Sequence, residues 1–575
     1  MSALLAILTA IIGALPLVTK PIRAIIVAIV YFLVSWWIYY GACPSFAYPL
    51  WGAAGTLIVG GWIISAFIAS FDEDGDMEIN WSITFPILGV CSLLIIGISG
   101  CAAFRSSQYS RLIGTVENKQ WSQDIQPTDP RHVRLVPAEL AYYLATKQLG
   151  EAPGTIGSQF QIEFSTLTLQ VVNGELWYVA PLELSGFSVW TSVGSSPGYV
   201  MVSGEDPKAP VVIKLGQKFR YLDSAFFGDN IERLLWNRYA GRYSLQDFTF
   251  EVDDNGKGWW TITALKPTIG WWGLKVEGVI VVDPETGSDK FYAVADVPAW
   301  VDRVIPDDTI KQYITYYGAY QNGWWNSWWG QKNVFKPEDP LIAYGDNGEP
   351  YWITTITSIN KKDNSMAGII YTDCRTGKST MYHSSGGTED AVVDLVNNKV
   401  QYRKLHGRSA QMYNIYGAMT AVVPILGESH SFQGVAFVDV ANMQVAVGDD
   451  IESALRQYQA TLSQSGQKVA PEARHDLSVV EGRVERFAAE THGDTTMYYI
   501  YLDGISYRIF VGGNVSEKLR LTKIGDRVRI GFVDSTEDVV PMKTFDNPAI
   551  SLVQSKSQGE MQKNVQTRQA ALKDK

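Results

Sequence analysis

A chain of 575 residues is too long for one hydrophobic core, so several domains are expected. A formal net charge of -11 disfavours a nonspecific nucleic-acid binder, because phosphate affinity depends mostly on cation count. Four cysteines, Cys43, Cys91, Cys101 and Cys374, supply neither a disulfide framework nor zinc-ligand spacing.

The N-terminus explains why only 19% of residues are charged. Residues 2–19, 24–71 and 81–104 contain no charged side chain, and the middle run is long enough for two spans with a bend at Gly41, Pro44 and Pro49. Four membrane helices are therefore expected within 1–104. The first, short and ending near Pro16, competes with a signal or interfacial reading. Trp36, Trp37, Tyr39, Tyr40, Trp51 and Trp81 fall near the span ends, where aromatic rings favour the headgroup level. With no charge inside a span, an ion or proton pathway is disfavoured and an anchor is expected. Lys20 and Arg23 lie in the first connection, against Arg105, Arg111 and Lys119 after the last; this balance places both chain ends in the cytoplasm.

Residues 105–131 read as a polar linker. Beyond them a helix and a hairpin alternate. Helices are expected after Pro137 (Leu140, Ala141, Leu144, Leu149), Asp229 (Ile231, Leu234, Leu235), Asp307-Asp308 (Ile310, Tyr313, Ile314, Tyr317), Thr388 (Val392, Leu395, Val396) and Asp449-Asp450 (Ile451, Leu455, Tyr458, Leu462). The hairpins pair 174–179 with 198–202, 258–263 with 278–287, 349–355 with 368–377, and 419–423 with 434–439. Trp177, Trp260 and Trp352 mark the first strands, and Asp-x-x-Thr-Gly closes two of the units, with Asp capping the bend and Gly taking the left-handed position. Four α+β modules follow, at 132–222, 223–306, 307–386 and 387–465.

Two tryptophan groups interrupt this pattern: Trp271-Trp272, and Trp324-Trp325 with Trp328-Trp329. Both are candidate binding surfaces for lipid headgroups, peptide or glycan. The competing reading is a loop that packs its rings on the neighbouring helix and sheet. After a flexible linker at 462–473, residues 476–547 carry five strand-like runs in the pattern of a small closed barrel, and 548–575 form a polar tail.

A helix followed by a hairpin, with Trp in the first strand and an apolar run ending in Asp-x-x-Thr-Gly, resembles the PepSY family of small α/β domains over residues 130–465. Asp283-Pro284-Glu285-Thr286-Gly287 and Asp373-Cys374-Arg375-Thr376-Gly377 match that pattern; Ser203 stands where the first copy would have Asp, and Asn442-Met443 replaces Thr-Gly in the last. The resemblance implies a membrane-attached or exported protein of bacterial or phage origin. It also implies peptidase-associated or inhibitory modules and an extracytoplasmic soluble region, opposite to the charge balance. The C-terminal runs, with Leu521 to Val528 before the fourth strand, resemble an OB-fold, and membrane helices followed by such a barrel are similar in layout to NfeD-like membrane proteins.

The six histidines are widely spaced, and no Gly-x-Ser-x-Gly, His-Glu-x-x-His or phosphate loop is present. The acidic run from Asp72 to Glu78 has Ile83 where a calcium loop needs its bidentate Glu. No catalytic residue, metal site or cofactor is expected. The sequence points to a membrane-anchored, non-catalytic binding or scaffold protein of the bacterial inner membrane, with membrane lipid, a protein or peptide, and further copies of itself as partners. A channel or its regulatory subunit, and an envelope-associated enzyme or peptidase regulator, are the alternatives.

Overall fold

The computed structural model describes residues 1–17, 20–69, 79–121, 125, 128, 133–345, 348–359, 365–464, 478–492, 495–504, 508–513, 515–532 and 538–551. The acidic run from Asp72 to Glu78, the linker beyond Gln464, His132, His475 and the tail from 552 lie outside the described residues.

The apolar N-terminus folds into helices α1 (Ser2–Ala14), α2 (Pro21–Ala42), α3 (Tyr48–Ala69), α4 (Ile79–Ser99) and α5 (Ala102–Ser110). Three stretches are long and apolar enough to cross a bilayer, Pro21–Ala42, Tyr48–Ile68 and Ile87–Ser110, and they mark a membrane protein. The first of the four expected spans, α1, is the short one. At 1.5 Å per residue, α1 reaches only about 20 Å, short of a bilayer core. It packs instead against α2 and α3. Trp62 Nε1 donates to Ile12 O (2.7 Å) and Ser65 Oγ to Gly13 O (3.0 Å), while a β-carbon on Gly61 would lie 2.8 Å from Gly13 Cα. Small residues here allow the backbone approach that those hydrogen bonds require.

Among the described residues the soluble region contains four main sheets, mostly antiparallel, a two-stranded pairing of Phe160–Gln161 with Glu183–Leu184, and a closed barrel. The first sheet runs in order through Thr168–Val172, Glu175–Pro181, Ser196–Ser203 and Val212–Phe219. The second contains Ser244–Val252, Gly258–Ile269, Trp272–Val282 and Asp289–Ala293. In the third, Phe335–Pro337 and Leu341–Tyr344 both pair with Pro350–Ser358, followed by Ser365–Asp373 and Ser379–Tyr382. His406–Gly407 and Gln411–Ile415, both paired with Ala418–Leu426, then Phe432–Asp439 and Gln444–Gly448 make the fourth. A helix precedes each sheet: Ala138–Gly150, Ile231–Tyr239, Asp307–Tyr320 and Glu389–Val400. Thr388 caps the last by accepting from Ala391 N, as expected, whereas the second is capped by Asn230 rather than Asp229.

The four units share one backbone scheme. A residue ahead of each helix, two positions before its start in three units and ten before it in the second, donates its N–H to a carbonyl just after the third strand: Val136 to Gly204, Tyr221 to Pro284, Ile305 to Cys374, and Gly387 to Val440. A glycine sits in the third strand of every unit where the neighbouring carbonyl comes close. A β-carbon on Gly198, Gly278, Gly368 or Gly434 would lie 1.8, 2.0, 2.7 or 2.3 Å from Lys214 O, Tyr292 O, Tyr382 O or Gly448 O. Only glycine permits such an approach.

Trp260 and Trp352 occupy equivalent places. Each is buried, and each indole donates to the carbonyl of that pre-helix residue, Tyr221 at 2.9 Å and Ile305 at 2.8 Å. Trp177 does not. Trp260 and Trp352 pair with Val282 and Thr372, one residue before the turn Asp, whereas the residue paired one position before Ser203 is Tyr178. A one-residue step along a strand reverses the face, so Tyr178 is buried and Trp177 lies at the rim.

The segment expected as a plain linker also does more. Val116–Lys119 joins the third sheet as a parallel strand beside Ser379–Tyr382, and Trp121 enters the core shared by the third and fourth units. At the C-terminus, Ser478–His492, Thr495–Leu502, Ile509–Gly512, Val539–Asp546 and Arg527–Phe532 close in that order into a five-stranded barrel, which fits the OB-like expectation. Helix Ile451–Gln464 joins barrel to fourth unit, with Tyr458 bonded to Thr420 (2.6 Å) and Gln459 to Val539 O (3.1 Å).

Candidate functional site

Alternation along the third sheet divides its residues between two faces. Trp352, Ile370 and Met381 point into the core shared with the first two units. Tyr351, Ile353, Tyr371, Asp373, Thr380 and Tyr382 point the other way and, with Lys119 and Lys378, line a cleft of about 500 Å³. Its opposite wall is Met412, Tyr413 and Asn414 from the fourth sheet, and Tyr344 and Ala343 close one end. Five tyrosines therefore converge on one space.

Several of these rings are fixed from behind. Tyr371 and Tyr382 meet edge to face at 5.3 Å. Tyr413 Oη accepts from Arg134 N (3.0 Å), and Tyr351 Oη donates to Glu349 (2.8 Å). Burial pushes the Tyr371 phenol up to about 12, so it stays a neutral donor. Asn414 is bound by Nδ2 to Ile125 O (2.6 Å) and by its carbonyl to Thr128 N (2.8 Å), while its buried Oδ1 accepts nothing among the described residues. Lys119 and Lys378 flank Glu117 at 3.5 and 3.3 Å.

Behind Tyr344 lies a polar junction between units. Its hydroxyl stands 2.9 Å from Leu169 O in the first sheet and 3.1 Å from Asp302 Oδ2. Asp302 accepts from Val171 N (3.0 Å) and donates its own N–H to Glu251 (3.0 Å), which also accepts from Thr261 (3.0 Å). Burial raises both carboxyls above their ordinary range, and the negative charge of Asp302 raises Glu251 further. A raised carboxyl in a cleft is a common mark of acid-base chemistry. Here, however, both groups are interior and engaged with three units, so the geometry is that of a staple.

The tryptophans singled out by sequence separate into two settings. Trp271 and Trp272, at the tip of the second hairpin, contact the chain's own membrane helices. Tyr48 stacks on Trp272 at 4.4 Å, Trp51 lies 4.8 Å from Trp271, and Gly100 packs directly against the Trp272 ring. For these two, the packing alternative describes the setting. Trp324, Trp325, Trp328 and Trp329 come together in one cluster, with Trp325 and Trp329 stacked at 5.2 Å, and three of the four rings are exposed.

The tyrosine cleft was missed by sequence reasoning. Its signal was the alternation of Tyr351 with Ile353, Tyr371 with Asp373 and Thr380 with Tyr382, read only as strand propensity. No group of potential metal ligands occurs among the described residues. Neither protein-family models nor curated proteins match this sequence.

Proposed function

We propose that this is a membrane-anchored, non-catalytic binding protein of the bacterial inner membrane, whose tandem PepSY-like units hold an extended polypeptide segment in the tyrosine-lined cleft. The observation that carries this reading is the convergence of Tyr344, Tyr351, Tyr371, Tyr382 and Tyr413 on one cleft of about 500 Å³, a volume typical of ligand sites. Tyrosine offers a large, stiff, amphipathic contact at low entropic cost, which suits polypeptide recognition. Lys119 and Lys378, each beside Glu117, line the same cleft. In this reading the cleft lies on the cytoplasmic side, the side that the balance of basic residues favours.

The test places p-benzoylphenylalanine at Thr380 of the full-length protein in membranes of its own host. Irradiation is expected to give a discrete polypeptide adduct that Tyr351→Ala and Lys378→Glu each diminish. An adduct indifferent to both substitutions would remove the cleft from consideration. Peptide turnover abolished by a single polar substitution would instead make the protein an enzyme.

A further inference from the structure

The second unit is seated on the ends of the membrane helices. Met1 and Ser2, at the start of α1, donate to Asn237 Oδ1 (3.4 and 3.3 Å). Trp236 Nε1 donates to Pro44 O (2.9 Å), Tyr48 N to Trp271 O (2.8 Å), and Ser45 meets Ser244 at 2.8 Å. These contacts set the second unit directly against the ends of the apolar helices.

On each side of that seat lies an exposed aromatic cluster. On one flank, helix Asp307–Tyr320 runs beside α5: Tyr109 lies 4.6 Å from Tyr316 and 6.3 Å from Tyr320, and its hydroxyl donates to Gly100 O (2.7 Å) at the end of α4. One turn past Tyr320 the chain forms the tryptophan cluster, with Trp325, Trp328 and Trp329 exposed by 65, 68 and 77%. The loop holds itself in shape: Asn326 Nδ2 donates to Lys332 O (3.0 Å), Asn326 Oδ1 accepts from Lys332 N (3.2 Å), and Gln321 Nε2 donates to Asn333 O (2.9 Å). Its rings are thus displayed by a built loop. On the other flank, helix Ile231–Tyr239 lies against α2, with Arg233 over the Tyr40 ring at 5.2 Å. Just ahead of it, Phe226 and Phe227 gather with Phe187 and Trp190 at ring separations of 5.1 to 6.4 Å. Phe187 and Phe227 are exposed, and Phe227 holds a left-handed φ of 54° that a bulky residue rarely adopts.

We propose that these two clusters are interfacial anchors that enter the headgroup–acyl boundary of the phospholipid bilayer on the side of the soluble region. Both continue directly from elements bound to the helix ends, and neither is covered by another part of the described chain. Trp and Phe gain most at that depth, where the ring loses water while the indole N–H keeps a polar partner. Phe104 and Arg105 on α5 and Lys332 in the tryptophan loop are exposed as well. Anchors on both flanks would hold the soluble region flat on the bilayer and stop it from rocking about the helix ends.

The test uses the full-length protein in nanodiscs of phosphatidylcholine and phosphatidylglycerol that contain an alkyne-tagged phospholipid. p-Benzoylphenylalanine is placed singly at Trp328, at Phe187 and, as a control on the barrel surface, at Ile524. These side chains are exposed, so the fold tolerates the exchange. Irradiation is expected to label positions 328 and 187 with phospholipid several-fold more than 524. Labelling at 328 and 187 no greater than at 524 would overturn the proposal, as would adducts at these positions to a second copy of the chain in place of lipid.

Discussion

The second and fourth units set the same backbone in the same order and fill it with different side chains. In the second, Trp260 is sealed in the core and bonded through its indole to Tyr221, Asp283 accepts from Glu285 N (2.8 Å), and Gly287 takes the left-handed corner at φ 68°. In the fourth, Ala421 stands at the position of Trp260, Asp439 still accepts from Ala441 N (3.2 Å), and Met443 takes the corner at φ 52°. What survives in both is the pre-helix hydrogen bond and the glycine in the third strand. The unit is thus defined by backbone proximity, and the aromatic residue is one of several ways to fill the space above it.

If that is right, the largest effect in the molecule should come from the smallest residue. Gly278→Ala puts a β-carbon against Tyr292 O, a backbone atom that no rotamer change can move. A loss above about 4 kcal/mol is expected, the range reserved for backbone incompatibility and core disruption. Gly368→Ala, with 2.7 Å to Tyr382 O, should cost less. Denaturant titration of the detergent-solubilised protein, read by hydrogen exchange in each third strand, ranks the two; equal and small losses would break the comparison.

Next in size are the tryptophans. Trp260→Ala and Trp352→Ala remove fully buried rings together with a hydrogen bond and are each expected to cost about 3–5 kcal/mol. Trp177→Ala, at the rim, should cost less than about half of that. If Trp177 proves as costly as the other two, the register in which Tyr178 takes their place is wrong.

The contrast also shows what could be read in advance. Helix faces, strand runs and Asp-Thr-Gly turns are local, and the sequence displayed them: the helix at Thr388, the turns at Asp283 and Asp373 and the five barrel strands appear where their periodicity put them. The register of Trp177-Tyr178 was not readable, because two adjacent aromatics satisfy either face of a strand and only pairing with Ser203 and Val202 decides between them. Val116–Lys119 could not be recognised as a strand, since its four polar-rich residues acquire that state only from a partner more than two hundred positions away. The tyrosine cleft needed two sheets facing each other. Trp271 and Trp272 resembled the other tryptophan group because composition does not record which loop meets a helix end.

A smaller effect separates the units by charge. Glu183 is buried in the first unit, where it accepts from Ser224 N (3.1 Å) and the Ser224 hydroxyl; burial nonetheless pushes it up to about 7. With its folded pKa raised, the native state binds more protons than the unfolded chain between the ordinary carboxyl range and pH 7. Stability contributed by this group is therefore complete at acid pH and lost as pH climbs through that window, by roughly 3 kcal/mol at most. Glu183→Gln should flatten the fall, measured as the unfolding midpoint of the first unit from pH 4 to 8. An unchanged slope would mean that the pH dependence resides in Glu251 and Asp302 at the junction with the next two units.

The finest test returns to the corner residue. Gly287 and Gly377 hold left-handed φ values of 68° and 74°, and a β-carbon on either would also press on the equivalent pre-helix side chain, Tyr221 at 2.6 Å or Ile305 at 2.8 Å. Each Gly→Ala change is expected to cost about 1–2 kcal/mol, mostly from the left-handed backbone. At the matching corner of the fourth unit Met443 already bears that strain, and its thioether covers Gly387, the residue equivalent to Tyr221 and Ile305. Met443→Gly relieves the backbone and uncovers Gly387 at once, so the two contributions offset and the net change should stay within about 0.5 kcal/mol. A clear gain would show that the strain outweighs the packing and that the fourth unit is a worn version of the second. A clear loss would show that methionine in this unit has taken over the contact that Tyr221 and Ile305 supply in the others.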